Sequence, residues 1–524
     1  MAHVIETVLG LMVAVAIVAV LARRLQVPYP ILLVIGGLGL ALVPGLPRVR
    51  LNPELVFLFF LPPLLYPAAL FTSWRDFRAD LPSISLLAVG LVLFTTVVIA
   101  WAAHALTGMP WAAGFVLGAI VSPPDALAAT TIAHRLRLPR RIVTILEGES
   151  LVNDATALVA YRFGVAAVLS GGFSLAHATG RFFFVGALSV LFGLIVGWLA
   201  GQIHARLDDP PVQVTISLLT PFAAYLPADR LGLSGVLAVV TTGLYLGWRA
   251  PEIVNARMRL QSFPVWGMVQ FLLNGVIFIL IGLQLPEVVR NLAARSKWEL
   301  TWHALAISAA VIAVRLVWVY SATWLRRIFC TAQEDRNPDW RRATIIGWTG
   351  MRGVVSLAAA MALPERLPNG AAFPARDLIL FLTFSVIFAT LVLQGLSLPA
   401  IIRWSNLEDD GEAEREEREA RLKANEAALA RLNELDASTD RGALDRLRAE
   451  YEDRIRQLQV FGNAGATAVG DGKRVYEALL EEALKTERRT ILRLRNERVI
   501  NDAVLRRIQR DLDLAEGRLK REET

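Results

Sequence analysis

Apolar residues come in long blocks over residues 1–404, separated by short joints rich in arginine, proline and glycine. Over residues 405–524 the pattern changes to Glu, Arg, Ala and Leu, with no block long enough to cross a bilayer. An apolar run of about 20 residues spans the ~30 Å hydrocarbon core as a helix. By that measure thirteen spans are predicted, at about 4–22, 28–46, 53–71, 82–104, 111–134, 142–170, 181–206, 213–228, 232–249, 263–286, 302–327, 342–364 and 376–402. The chain divides into a membrane domain, 1–404, and a soluble helical tail, 405–524. An odd number of crossings leaves the termini on opposite sides. Basic residues at the joints after odd-numbered spans outnumber those after even-numbered spans by seventeen to nine. Cytoplasmic loops carry the excess of Lys and Arg, so the N-terminus is predicted outside and the tail in the cytoplasm.

Composition agrees. A mean hydropathy of +0.47 with only 19% charged residues excludes an ordinary soluble domain. The basic balance, a formal net charge of +7, does not point to nucleic acid. Most arginines of the first part sit in joints between spans, and those of the tail alternate with glutamates at helical spacing. No cleavable signal peptide is expected, because the first block has no Lys or Arg before it and Arg23-Arg24 after it. Cys330 is the single cysteine, which excludes an intrachain disulfide and a cysteine metal cluster.

Charges deep in a bilayer cost at least a few kcal/mol each and mark function by default. Five fall near span centres: Asp125 in the fifth span, Glu149 and Asp154 in the sixth, Arg315 in the eleventh and Arg352 in the twelfth. Three acids against two bases leave one carboxylate without a permanent partner. Stripped of water, such a group either holds a proton or, after losing it, holds a cation. Competition between the two ligands for one site is already a mechanism of exchange. Asp154 is the best placed, with Ser150 one turn before it and Asn153 beside it. A hydroxyl, a carboxylate and an amide form a partial oxygen shell for a hard cation such as Na+. Asp154 and Ser150 are thus the expected direct ligands. Glu149, Arg315 and Arg352 also admit a structural reading, as ion pairs that stitch helices together. Glu147 and Arg162, nearer the ends of the same span, can snorkel to the interface and are left out of the core site.

The remaining ligands are expected from broken helices. Ser122-Pro123-Pro124-Asp125 interrupts the fifth span, because successive prolines lack N–H groups and disfavour helix at the preceding residue. Gly347-Trp348-Thr349-Gly350-Met351-Arg352-Gly353 interrupts the twelfth. Unpaired backbone at membrane depth is tolerated only in a cavity or inside protein. The two spans are seven apart and so run in opposite directions, the pattern of inverted repeats whose discontinuous helices cross at mid-membrane. Asp125 and Arg352 are placed to neutralise the half-helix ends there. The predicted fold is therefore all-α: a polytopic membrane protein of about thirteen transmembrane helices with inverted repeats, two crossing discontinuous helices and a helical cytoplasmic tail.

On Ser122-Pro123-Pro124-Asp125, on Glu147-Gly148-Glu149-Ser150-Leu151-Val152-Asn153-Asp154, on Gly350-Met351-Arg352-Gly353, and on Phe60-Leu61-Pro62-Pro63-Leu64-Leu65-Tyr66 of the third span, the sequence resembles the cation:proton antiporter family. The branch it resembles is the sodium/proton exchangers in their bacterial form, over about residues 1–404. The resemblance implies that Asp154 binds cation or proton with Ser150 and backbone near Pro124 as co-ligands. It also implies that Glu149 pairs with Arg315, and that Asn153, where the electrogenic branch has aspartate, goes with electroneutral 1:1 exchange. It further implies a homodimer with a rigid dimerisation domain and a moving six-helix core. No cofactor is implied beyond the transported Na+ (or Li+ or K+) and H+. Three places depart from the family pattern. Pro67-Ala68 stands where many relatives have an acid, Asp125-Ala126 replaces the common Asp-Pro, and Pro124 stands where relatives often have Thr.

Other readings give different expectations. A potassium/proton exchanger shares the mechanism, whereas a channel needs a continuous pore that paired helix breaks do not suggest. An intramembrane aspartyl protease on Asp125 and Asp154 lacks the Gly-x-Gly-Asp string. A membrane-anchored scaffold leaves five buried charges without a use. The tail shows helical patterns at about 407–436, 440–460 and 472–515, with a Gly/Ala-rich joint at 461–472. Leu444, Leu447 and Tyr451, then Leu505, Ile508 and Leu512, form narrow stripes that suit a coiled coil or a dimerising, regulatory hairpin. A solvated helical appendage fits them equally.

Overall fold

The computed structural model describes residues 2–25, 28–43, 56–136, 138–170, 175–292, 296–329, 340–367, 370–407, 411–434 and 441–463, and scattered positions between 479 and 516. Cys330 and most of the 461–472 joint lie outside the described residues. The chain falls into two compact units, Met1–Asp409 and Asp410–Thr524. Among the described residues every regular element is a helix, and extended backbone pairs only in a single antiparallel bridge, Arg366 with Ala372.

The first unit opens with α1 (Ala2–Leu25) and α2 (Tyr29–Ala41), then α3 (Leu61–Phe71), which continues a π-helical turn at Val56–Phe60. Short α4 (Trp74–Ala79), capped by the Ser73 hydroxyl, leads into α5 (Leu81–Ser85) and α6 (Val92–Thr107), joined through a π-helical stretch at Leu86–Leu91. Next come α7 (Trp111–Val121), α8 (Ala126–Arg135), α9 (Arg140–Ser170), α10 (Leu175–Arg206), α11 (Pro210–Arg230) and α12 (Gly235–Ile253). After α13 (Ala256–Asn291) and α14 (Lys297–Phe329) follow α15 (Trp340–Trp348) and α16 (Val354–Met361). α17 (Arg376–Ala389) runs through a π-helical turn at Thr390–Gln394 into α18 (Gly395–Ser405).

Among the described residues seven helical segments are long and apolar enough to cross a membrane, and three shorter apolar helices, Leu9–Ala22, Tyr29–Ala41 and Leu58–Phe71, add to them. The outer surface fits that environment. On α10, Leu191, Ile195, Trp198 and Leu199 stand exposed along one face. Such a stripe is a liability in water and matches acyl chains in a bilayer. Exposed Trp298 and Trp404 sit near helix ends, the place of interfacial aromatics. Inside the unit helices pack through small residues, as membrane helices do. Gly37 of α2 and Gly282 of α13 meet so closely that a Cβ on either would strike the other helix's backbone.

Both segments predicted to be interrupted are broken: α7 stops before α8, and α15 before α16. In the second unit α19 (Glu412–Glu434) and α20 (Arg441–Asn463) pack against each other, with Arg448 donating to the Leu432 carbonyl at 2.9 Å. The single helical stretch expected at 472–515 needs correction. Arg488 meets Asp513 at 2.7 Å and Glu516 at 2.8 Å. A straight helix at 1.5 Å per residue would hold Arg488 and Asp513 roughly 37 Å apart. The chain therefore doubles back, and Leu484, Ile491, Leu505 and Leu512 form a small core between its arms.

Candidate functional site

The two interruptions face each other. Pro123 and Pro124 offer no N–H to the carbonyls one turn earlier, so α7 ends there, and the Ser122 hydroxyl donates to the stranded Ala119 carbonyl at 3.0 Å. Arg352, on the second break, donates from Nε to the Val121 carbonyl at 2.8 Å and from Nη2 to the Ser122 carbonyl at 3.3 Å. Its Nη1 donates to the Gly350 carbonyl, so one guanidinium covers the carbonyl ends of both α7 and α15. Asp125 does the converse. Its carboxylate accepts from the Leu127 N–H at 2.9 Å and from the Val354 N–H, in the first turns of α8 and α16. Its own N–H donates to the Met351 carbonyl at 2.7 Å. Carbonyl ends carry partial negative charge and amide ends partial positive charge, and each meets the opposite ion.

Gly353 permits this approach, because a Cβ there would collide with the Asp125 carboxylate. Gly353→Ala is expected to push the two breaks apart at a cost of about 1–3 kcal/mol. A lower thermal midpoint of the detergent-purified protein would show it, and an unchanged midpoint would mean that the crossing tolerates a methyl group.

Beside the crossing, α9 carries two buried acids in different circumstances. Glu149 accepts from Arg315 through both oxygens, at 2.5 and 2.8 Å. Arg315 also donates to the Ile346 carbonyl at 3.1 and 3.0 Å, so this arginine of α14 ties α9 to the end of α15. Asp154, five residues on and thus about 140° around the helix, makes no hydrogen bond or ion pair among the described residues. It lies on the wall of a cavity of about 350 Å³.

Ser150 and Pro124 line the same cavity, and the Ser150 hydroxyl accepts from the Ala126 N–H at 3.4 Å. Asn153 does not line it. One position before Asp154 the side chain projects about 100° away; there it is fully buried and donates from Nδ2 to the Pro124 carbonyl at 2.8 Å. Sequence reasoning missed four polar residues of the wall: Thr130 on α8, Gln270 and Asn274 on α13, and Ser356 on α16. Glu147, set aside as interfacial, also lines it. The missed signal was strongest on α13, where two amides four residues apart interrupt an otherwise apolar run. Pro67 and Ala68, set apart in the sequence as a departure from the family pattern, line the cavity as well.

The transmembrane sodium/hydrogen exchanger family matches residues 11–404. The chain belongs to that family. An uncharacterized Na(+)/H(+) exchanger of Mycobacterium tuberculosis is 38% identical over 528 residues, 98% of this chain and 96% of that one. The sodium, potassium, lithium and rubidium/H(+) antiporter of Bacillus subtilis is 32% identical over 502 residues, 93% of this chain and 74% of its own. Among solved structures, the sodium proton antiporter of Methanocaldococcus jannaschii superposes with a TM-score of 0.61 at 18% identity, over 77% of this chain and 98% of that chain. The architecture is thus the antiporter fold, that of a multi-pass membrane protein. Family membership makes the chain a transporter and not an enzyme. The aspartyl-protease reading finds no support: Asp125, which would have to share a water with Asp154, has its carboxylate engaged by the helix ends.

Proposed function

We propose that the protein exchanges Na+ for H+ across the plasma (inner) membrane by alternating access, with the two ions competing for Asp154. One observation carries this reading: of the acids near the crossing, Glu149 is held by Arg315 and Asp125 by helix ends, while the Asp154 carboxylate opens on a cavity with no partner among the described residues. Ser150 and the Pro124 carbonyl complete its shell. Asn153 acts as a positioning residue that fixes the Pro124 carbonyl. Asp125, Glu149, Arg315 and Arg352 hold the crossing together.

The charge distribution supports thirteen crossings with the N-terminus outside and the tail in the cytoplasm. In that frame the cavity walls of α3, α8, α9 and α13 belong to the membrane half nearer the basic joints, so the cavity leads inward from Asp154. The membrane domain, 1–404, works as a homodimer, and the tail, 405–524, offers helical surfaces for regulatory contacts. Exchange of potassium by the same mechanism is the second reading, favoured by the neutral Pro67-Ala68 wall and by the breadth of cations handled by the Bacillus subtilis relative.

Proteoliposomes loaded with a pH-sensitive dye test the function. Adding Na+, Li+ or K+ to acid-loaded vesicles is expected to drive saturable proton efflux, strongest for Na+. Absence of efflux with every cation, or cation flux that needs no counter-gradient, overturns the proposal.

Asn153→Asp probes the stoichiometry. Only a protonated aspartate can donate to the Pro124 carbonyl, so the variant brings a second titrating group into the cycle. It is expected to generate a membrane potential during exchange, reported by a potential-sensitive dye that stays silent with the wild type. A dye signal from the wild type overturns the 1:1 assignment, and an electrically silent, active Asn153→Asp variant means that position 153 does not set the stoichiometry.

A further inference from the structure

The run 263–283 of α13 is apolar but for two amides, Gln270 and Asn274, and these lie four residues apart on one helix face. Polar side chains in hydrocarbon are tolerated where they bond across helices or face a water-filled space. The first explanation does not apply: among the described residues neither amide makes a side-chain hydrogen bond. Asn274 is nonetheless buried, and both residues line the cavity that holds Asp154 and Ser150. We infer that Gln270 and Asn274 are cation-selecting ligands, neutral amide oxygens that replace part of the ion's hydration shell as it moves between the inward mouth and Asp154. This inference rests on the exchange reading given above.

The placement of α13 supports the assignment. It packs most extensively on α2 and only sparsely on α16, and its packing on the site-bearing helix α9 is at most slight. The amides therefore reach an ion across the cavity and not through the crossing that fixes Asp154. A wall of two neutral oxygens, beside Pro67 and Ala68 where no charge is available, attracts cations less strongly than a second carboxylate there would. Dehydration is costliest for the smallest ions. A neutral wall accordingly narrows the preference for Li+ and Na+ over K+, and a carboxylate placed in it is expected to widen that preference.

Two kinds of variant test this. Gln270→Met and Asn274→Leu keep volume and remove the oxygens, and Asn274→Asp adds charge. In everted membrane vesicles, where the inward face meets the medium, cation-driven proton movement is followed over a range of Na+, Li+ and K+. Each apolar variant is expected to raise the KM for Na+ about tenfold, the factor carried by one lost polar contact to an ion, with a much smaller fall in maximal rate. Asn274→Asp is expected to lower the KM for Na+ relative to that for K+. As a readout independent of transport, Na+-induced thermal stabilisation of the purified protein should shrink in the apolar pair. If KM, cation preference and Na+-dependent stabilisation all match the wild type while Asp154→Asn is inactive, the amides have no part in selection and only this inference falls. If Asp154→Asn still exchanges, the exchange reading itself falls. A variant that does not fold is replaced by Gln270→Asn or Asn274→Gln, which keep an amide but move its oxygen; a shifted cation preference supports the assignment, and an unchanged one overturns it.

Discussion

Asp154→Asn yields a protein that purifies and elutes like the wild type but moves no more protons on addition of sodium than empty liposomes do. The substitution removes neither volume nor packing. It removes the two properties on which exchange depends, a negative charge to hold a cation and a basic oxygen to hold a proton. The other acids cannot take over. Glu149 is clasped by Arg315 at 2.5 and 2.8 Å, and Asp125 is occupied by the amide ends of α8 and α16. The fold is expected to tolerate the change because Asp154 makes no hydrogen bond or ion pair among the described residues. Cation-driven proton flux above background in this variant would move the site elsewhere.

Competition at one carboxylate fixes the direction of the pH effect in the wild type. A proton and a cation cannot both occupy Asp154, so below its pKa the apparent KM for Na+ rises about tenfold for each unit by which pH falls, as mass action requires. Well above that pKa the KM becomes flat. The cation is bound where the proton has left, so affinity improves with rising pH and then saturates. A KM independent of pH through the whole active range means that the two ions do not share the site.

Much of this arrangement was legible in the sequence because hydrocarbon makes exceptions conspicuous. Five charges inside apolar blocks, two prolines in succession and closely spaced glycines each violate the rule for an ordinary span, and they gather at or beside the crossing of α7–α8 with α15–α16. Fold class followed from the same apolar blocks; several span boundaries fall within three residues of helix ends, whereas α13 begins at Ala256, seven residues before the span predicted from 263, and α10 at Leu175, six before the span predicted from 181. Two kinds of detail were less visible. Direction around a helix is lost when residues are read as neighbours: Asn153 stands beside Asp154 in the chain, yet it points to the Pro124 carbonyl and away from the cavity. Neutral polar groups carry a weaker signal than charges, so Gln270, Asn274, Thr130 and Ser356 escaped notice until packing brought them to one wall. In the tail, helical periodicity cannot report a reversal, which the Arg488–Asp513 contact reveals.

Arg315→Ala should do the opposite of Asp154→Asn, damaging the fold before the binding. Both partners of the pair are almost completely buried, at 1% and 2% side-chain exposure. Breaking a buried pair by removing one member leaves an uncompensated charge and costs about 3–5 kcal/mol. Here the loss also strips the Ile346 carbonyl at the end of α15 of its arginine donor. The expected result is a sharp drop in folded yield and in thermal midpoint, with the surviving protein retaining a cation KM near the wild-type value. Glu149→Ala should show the same pattern with a smaller loss, since Arg315 keeps the Ile346 carbonyl. Replacing both residues together, Glu149→Leu with Arg315→Leu, removes the orphaned charge and should recover much of the stability, because an apolar pair of similar volume often matches a buried ion pair. Should Arg315→Ala fold as well as the wild type but lose cation affinity, the pair belongs to the transport site and the architectural role assigned to it is wrong.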